Sequence, residues 1–442
     1  MKRYIAPIAA IYYLLATLLI NSFMLVLLSP YALIGIIPLF LFINFLAGIK
    51  PRGTKRLRLR VCNHGALLLF IFLFSLIPSI AWHVALAYII PTSDHMLIVW
   101  SAIYCAAASA IIFWNGIICV YCTSLQIGIK WRVIGLLCGL IPIVNIVILT
   151  HIIRLSANEV TFEIKKDAIE NDPKLSEICK TKYPIIFVHG VFFRDNKLFN
   201  YWGRVPRTLK KHGATVYYGE HQSALSIKES ARELAAKIKV IVERTECEKV
   251  NIIAHSKGGL DCRYAISKFG IAPYVASITT INTPHRGCFF AEELLHTVPE
   301  DMKNKIASTY NKAFTALGDA DPDFLAAIGD LTADSCKKLN ETLTFPEGIY
   351  AQSVGSVMGH RKKGKFPLNI SYNFVKKYDG ENDGLVGEAS FAWGEKYTLL
   401  RTDGKRGISH GDVIDLNREN IRDFDVREFY TNLVSELRER GL

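Results

Sequence analysis

The stretch Val250-Asn251-Ile252-Ile253-Ala254-His255-Ser256-Lys257-Gly258-Gly259-Leu260 decides how this chain folds. Its first four residues form a compact β-rich run of the kind buried in a parallel sheet, and Leu260 to Phe269 continue in a helical pattern. Between them Ser256 has small residues two before and two after it, Ala254 and Gly258. Such spacing lets the backbone take a sharp strand-to-helix turn that lifts a serine hydroxyl above the sheet. Ala254 stands where glycine is usual, and one small residue replaces another there. The bare pattern is weak; a strand before it, a helix after it and two further motifs, His189-Gly190 and the downstream acid with its histidine, make it specific.

Working outward, Ile185–Val188, Thr215–Tyr218 and Ser277–Ile281 read as further strands. Ile227–Glu243 repeats Leu234, Ile238 and Ile241 at helical spacing, as a crossover helix would. Strands alternating with helices predict a mostly parallel sheet with helices on both faces. The first strand runs into His189-Gly190-Val191, which places a backbone N–H beside the top of the sheet. The N–H groups of Val191 and Lys257 are therefore the candidate donors to an oxyanion. His189 is expected to orient that loop rather than to act as a base. A serine nucleophile also needs a base and an acid from downstream loops, in the order Ser, Asp/Glu, His. Asn382-Asp383-Gly384 offers the acid in a turn setting, and Ser409-His410-Gly411 offers the imidazole. Asp383 and His410 are the choices. Asp379 and Glu381 are rivals for the acid; His296 and His360 are competing histidines.

Tyr183-Pro184-Ile185-Ile186-Phe187-Val188-His189-Gly190, the Ala254–Tyr264 stretch, Thr279–Gly287, Asn382–Val386 and Ser409–Asp412 resemble, in order, the motifs of bacterial true lipases. These are triacylglycerol lipases of the α/β-hydrolase fold, and the resemblance covers roughly residues 180–415. It implies a nucleophile at Ser256, an acid at Asp383, a base at His410 and an oxyanion hole from the backbones of Val191 and Lys257. Two departures stand out. Many relatives have Met or Gln after the nucleophile, and Lys257 here is expected to bring a cation near the acyl pocket. Some relatives hold a structural calcium through an Asp two residues after the catalytic His. Asp412 fits that position, yet no Asp or Glu occurs from Gly348 to Tyr378, where a partner carboxylate belongs. A hard dication wants several oxygen ligands, so no calcium, no other metal and no cofactor are expected, and Asp412 reads as a helix cap. Residues 288–346 form an insert with helical stretches at Ala291–Leu295, Lys303–Leu317 and Asp323–Leu331, either a mobile lid or a fixed cap over the sheet. Asn417–Leu442 reads as a charged surface helix with Val426, Tyr430, Leu433 and Leu437 facing inward.

The other end of the chain is different in kind. Half of the 442 residues are hydrophobic and mean hydropathy is +0.23, too apolar for an ordinary soluble protein. Residues 1–160 hold eleven Lys/Arg and only two acids, so most of the +12 net charge flanks apolar segments. That placement suits membrane topology rather than phosphate binding, and a nucleic-acid partner is set aside. Ten scattered cysteines, with one CxxC at Cys119 and Cys122, suggest neither a disulfide framework nor a zinc site.

Five apolar stretches are long enough to cross a bilayer: two within Ile5–Ile49, then Ala66–Ile90, Met96–Tyr121 and Val133–Ile153. The basic cluster Lys50, Arg52, Lys55, Arg56, Arg58 and Arg60, with Lys130 and Arg132, marks the cytoplasmic side. Five crossings then put the hydrolase half outside the cell membrane. Arg154, Lys165 and Lys166 lie on the wrong side for that rule, and one re-entrant span would reverse it. His83 and Asn145 within the spans read as packing residues.

The predicted organisation is a transmembrane bundle over 1–155, a juxtamembrane linker over 156–180 and a hydrolase domain over 181–442. The function expected is a membrane-anchored serine hydrolase of lipid esters, with membrane lipid as its other partner. An acyltransferase or a lipid-glycan deacylase is the alternative, and a channel or signalling protein with a degenerate hydrolase domain is a second. Oligomeric state and choice between acylglycerol and phospholipid are not legible.

Overall fold

A computed structural model describes residues 2–48, 54–141, 143–191, 200–316 and 319–442. Lys50, Arg52 and Leu317 lie outside the described residues, as do the side chains of Lys2, Arg3 and Leu294. The chain divides into two compact units, Met1–Asn171 and Asp172–Leu442.

The first unit is helical: α1 (Lys2–Ile20), α2 (Phe23–Leu28), α3 (Leu33–Phe45), α4 (Leu57–Ile89), α5 (His95–Thr123), α6 (Gly128–Leu137) and α7 (Val144–Glu170). Two helices among the described residues, Leu57–Ile89 and Thr92–Thr123, are long and apolar enough to cross a membrane. They pack through small residues. A Cβ on Gly65 would come within 2.6 Å of the Cys119 Cβ, and one on Gly116 within 2.9 Å of Leu69. Close approach of this kind gains van der Waals contact between the two backbones. His83 Nε2 meets Ser101 Oγ at 3.1 Å, and Asn145 donates to the Gly139 carbonyl at 3.2 Å.

The stretch Val133–Ile153, expected as one crossing, is not one continuous helix. It is divided between α6, ten residues and so about 15 Å long, and α7, which starts after Ile143 at φ 67°. Gly139 and Pro142 stand in the sequence between the two helices, where a continuous helix would be weakened by one and broken by the other. α7 then continues to Glu170, so residues 156–170 of the supposed linker are helical.

Its far half carries Glu159, Glu163, Asp167 and Glu170, all buried. Glu159 pairs with Arg58 at 2.5 Å and accepts from Ser124 Oγ at 2.6 Å. Arg56 pairs with Glu163 at 3.3 Å and with Asp167. The start of α6 is held at the end of α5, where Arg132 donates to the carbonyls of Tyr121 and Ser124. The start of α4, the end of α5, the start of α6 and the far half of α7 therefore meet at one end of this unit.

The second unit is built on a six-stranded parallel sheet in the order β2-β1-β3-β4-β5-β6. The strands are β1 (Ile185–Val188), β2 (Val216–Tyr218), β3 (Val250–His255), β4 (Val275–Ile281), β5 (Tyr350–Ser356) and β6 (Lys396–Leu400). The last two, β5 and β6, were not anticipated. Alternate side chains of the central strands feed two cores. Ile185, Phe187 and Ile253 pack with α8 (Val205–Lys211) and α16 (Val426–Glu439). Ile186, Ile252 and Ala254 pack with α9 (Ile227–Thr245) and α10 (Lys257–Lys268). This is the α/β-hydrolase architecture. The insert is four helices, α11 (Phe289–Thr297), α12 (Glu300–Ala316), α13 (Phe324–Gly329) and α14 (Ala333–Thr342), and α15 (Leu368–Asp379) follows β5.

Ile252 lies at the centre of the sheet with no exposed surface. Ile252→Ala is expected to cost about 2–5 kcal/mol through lost transfer energy and the cavity left behind. Chemical unfolding followed by near-UV circular dichroism measures it.

Candidate active site

The end of β3 sets the geometry. Ser256 follows it at φ 55° and ψ −133°, and α10 begins at the next residue. A Cβ on Gly258 would sit 2.3 Å from the His189 carbonyl oxygen, and one on Gly259 2.2 Å from Thr283 Oγ1. Only glycine allows the elbow to nest so closely against the β1 and β4 loops. The Thr283 hydroxyl donates to the Ser256 carbonyl at 2.8 Å.

The structure brings Ser256, His410 and Asp383 together. His410 Nε2 lies 3.0 Å from Ser256 Oγ, and His410 Nδ1 lies 2.6 Å from Asp383 Oδ2. Asp383 is wholly buried. Its Oδ1 accepts from the Leu385 and Val386 N–H groups at 2.9 and 2.8 Å, and its Oδ2 also accepts from Asn282 Nδ2 at 2.7 Å. With Nδ1–H committed to a carboxylate, Nε2 is left as the acceptor that can take a proton from the serine hydroxyl. The rivals have other partners. Asp379 accepts from the Phe289 and Phe290 N–H groups at the start of α11, and Glu381 pairs with Lys376 at 2.8 Å. His296 lies in the last turn of α11, and His360 Nδ1 accepts from the Lys362 N–H.

Asn282, at φ 47°, bridges Asp383 and Ser356 Oγ, and no sequence signal assigned it that task. Tyr201 and His255 form a second unforeseen link. Gly190 N–H donates to the Tyr201 hydroxyl at 3.0 Å, and that hydroxyl lies 2.6 Å from His255 Nδ1. His255 Nε2 lies 3.1 Å from the His410 carbonyl. The carbonyl can only accept, so Nε2 carries the hydrogen and the tyrosine donates to Nδ1. Burial, reinforced by His410, pushes the His255 pKa well below its usual value and keeps this ring neutral.

Beside the serine, a Cβ on Gly190 would come within 2.8 Å of the Ser256 Cβ, so the Val191 loop runs directly past the nucleophile position. His189 is buried; burial and the stacked His221 ring push its pKa down to about 3. Its nitrogens lie against the Gly190 and His221 carbonyls.

Lys257 differs from expectation. Its ammonium does not approach an acyl pocket but is buried between α9 and α10, donating to Ser230 Oγ at 2.9 Å and Asp261 Oδ1 at 2.8 Å. The reason is local: Asp261 is one helical turn on, and a buried cation requires such a partner. Burial raises the Asp261 pKa to about 6 even against the pull of Lys257. Asp412 is bound on both oxygens by Arg406 at 2.8 Å and accepts from Ser409 Oγ at 2.6 Å. It is an ion-pair partner rather than the helix cap expected.

Ser256 and His410 line one wall of a cavity of about 320 Å³. Phe290, Leu295, Ile306, Leu325 and Leu385 make it strongly apolar, and most of these come from the insert.

A family model described as Lipase (class 2) matches residues 182–273. The chain is 31% identical over 272 residues to triacylglycerol lipase 2 of Saccharomyces cerevisiae, covering 56% of this chain and 77% of that protein. The chain belongs to the lipase family. A triacylglycerol lipase of Pseudarthrobacter phenanthrenivorans is 36% identical over 179 residues, covering 38% of this chain and 54% of that protein. A Burkholderia plantarii triacylglycerol lipase matches at the same identity over 49% of its length, so the chain spans about half of these two relatives. Among solved structures, mature Bacillus licheniformis lipase BlEst2 is 21% identical with a TM-score of 0.42, covering 60% of this chain and 93% of that one.

Asn282→Ala removes a donor from the buried carboxylate, a bond to a charged group worth about 1.5–3 kcal/mol. If ester hydrolysis runs through this site, kcat should fall about tenfold to a hundredfold with KM little changed, as steady-state kinetics on a soluble ester would show.

Proposed function

We propose that this lipase-family chain is a membrane-anchored serine hydrolase that cleaves carboxylic esters of lipids through an acyl-enzyme. One observation carries the reading: the Ser256, His410 and Asp383 side chains meet in sequence at the wall of an apolar cavity. In this reading Ser256 Oγ attacks the ester carbonyl while His410 Nε2 takes its proton. Asp383 holds the ring and stabilises the imidazolium. The tetrahedral oxygen, now negative, rests on the Val191 and Lys257 N–H groups. His410 then gives its proton to the departing alcohol, and water, activated by the same imidazole, releases the acid. The cavity's apolar lining favours a fatty acyl group, and its size lies at the small end of the range for ligand sites.

Ser256→Ala should abolish turnover of p-nitrophenyl acyl esters and labelling by a fluorophosphonate probe, with the circular dichroism spectrum preserved. Labelling and turnover at parental levels in that variant would overturn the assignment.

The membrane reading has support of its own in the two long apolar helices. We further propose that the hydrolase unit lies on the cytoplasmic side, opposite to the placement that five crossings imply. α4 starts among basic residues, and α5 returns to that end. α6 is half the length needed to cross, and Glu159 of α7 pairs with Arg58 back at the same end. α6 and α7 thus read as a re-entrant hairpin, after which the chain leaves on the side it entered. Lys55, Arg56, Arg58, Lys130, Arg132, Lys165 and Lys166 then obey one rule. In a background without native cysteines, Ser93→Cys should react with an impermeant maleimide on intact cells, and Glu347→Cys only after permeabilisation. The reverse pattern would restore the outward placement. Release of the protein by carbonate washing would remove the membrane anchor itself.

A further inference from the structure

We propose that the outer face of α15, with the basic turn before it, docks the hydrolase unit onto a bilayer surface carrying anionic lipid. The inference deepens the lipid-ester reading and rests on it, since it states where the site meets its substrate. From Gly348 to Tyr378 the chain has six Lys/Arg and no acid: Arg361, Lys362, Lys363, Lys365, Lys376 and Lys377. Lys365 and Lys376 are met by Glu419 and Glu381. Arg361, Lys362 and Lys363 have no ion-pair partner among the described residues and form a short 3-10 turn packed against α15.

The apolar side of this face is as unusual as its charge. Ile370 and Phe374 are four residues apart and so lie on one side of α15, and Phe366 stands just before the helix. Phe366, Ile370 and Phe374 are 78%, 50% and 59% exposed, while Tyr372 and Val375 on the opposite side are buried. Single exposed apolar residues need no explanation; three within nine residues beside a cationic run do. Phe289 on α11, which packs against α15, is also 59% exposed.

The face adjoins the candidate active site. Asp379 at the end of α15 holds the first N–H groups of α11, and Phe290 of that helix lines the cavity. Ser371 on α15 donates to the Gly384 carbonyl at 2.6 Å, beside the acid Asp383 and the cavity residue Leu385. The partner follows from the pairing of chemistries. Phe and Ile side chains seat at the boundary of headgroups and acyl chains, while clustered Lys and Arg meet lipid phosphates just above it. A water-exposed protein or nucleic-acid partner would satisfy the charges and leave the exposed apolar residues unexplained.

The test uses the full-length protein in nanodiscs, where both membrane faces are accessible, with an environment-sensitive fluorophore on Ile370→Cys. In discs containing phosphatidylglycerol the emission should shift to the blue and be quenched by shallow nitroxide lipid. The response should be several-fold weaker in phosphatidylcholine alone and reversed by high salt. The combined Arg361→Glu, Lys362→Glu and Lys363→Glu variant should lose the response while hydrolysing a water-soluble p-nitrophenyl ester at the parental rate. A probe equally water-exposed in both lipids would overturn the docking. So would a shift that follows protein concentration rather than lipid composition, which would mark a contact between copies. The hydrolase reading fails separately, by absent soluble-ester turnover in the parent protein.

Discussion

The backbone of Ser256 is the constraint on which the rest of the hydrolase unit depends. At φ 55° and ψ −133° it occupies a region that an L-residue leaves unless held, at a cost of about 1–3 kcal/mol. It is held from three directions. Ser256 N–H donates to the Ile281 carbonyl at the end of β4, Thr283 donates to the Ser256 carbonyl, and α10 begins immediately afterwards. β3 has neighbours on both sides and no exposed residue along its length, so the turn cannot relax without disturbing the centre of the sheet. The glycines at 190, 258 and 259 follow from that position, because each faces backbone or side chain at a distance no Cβ could tolerate.

Around this turn the buried polar groups form two linked systems. One converges on Asp383, where four donors surround a carboxylate shut off from water. The other runs from Gly190 through Tyr201 and His255 to the His410 carbonyl. Together they couple the loop beside the serine to the residue that carries the imidazole, and each step has a donor facing an acceptor. Satisfied networks of this sort rigidify a site, since any rotation leaves a group unpaired in a low-dielectric interior. Lys257 adds a third anchor from below, by pairing with Asp261 in the α9–α10 layer.

What was legible in the sequence follows from the same physics. β1, β3 and β4 are apolar runs buried on both faces, and the Ser256 motif sits at a junction where spacing alone is restrictive. β5 escaped notice because Gln352, Ser353, Gly355 and Ser356 make it look like a loop. Its polar groups are absorbed by tertiary partners, Gln352 by Thr279, Ser353 by the Trp393 carbonyl and Ser356 by Asn282. β6 begins with Lys396 and lies at the sheet edge, where periodicity is weakest. Asn282 and Tyr201 were invisible for a related reason: their task exists only once distant loops meet. The break in the Val133–Ile153 run was not legible because hydropathy counts residues and is blind to a turn at Ile143.

That turn changes more than a helix count. The four buried acids of α7 partly neutralise Arg56 and Arg58, which could suggest that the basic end has lost its power to orient the unit. Orientation, however, responds to the distribution of Lys and Arg near the ends of spans, and Asp and Glu contribute little. The acids answer a different need. In the re-entrant topology proposed above, the returning helix needs a fixed end, and ion pairs to the start of α4 with bonds to Ser124, Leu125 and Gln126 would supply it. In that topology the same charges would serve two purposes at once: the cations choose the side, and the carboxylates bind the returning helix to them.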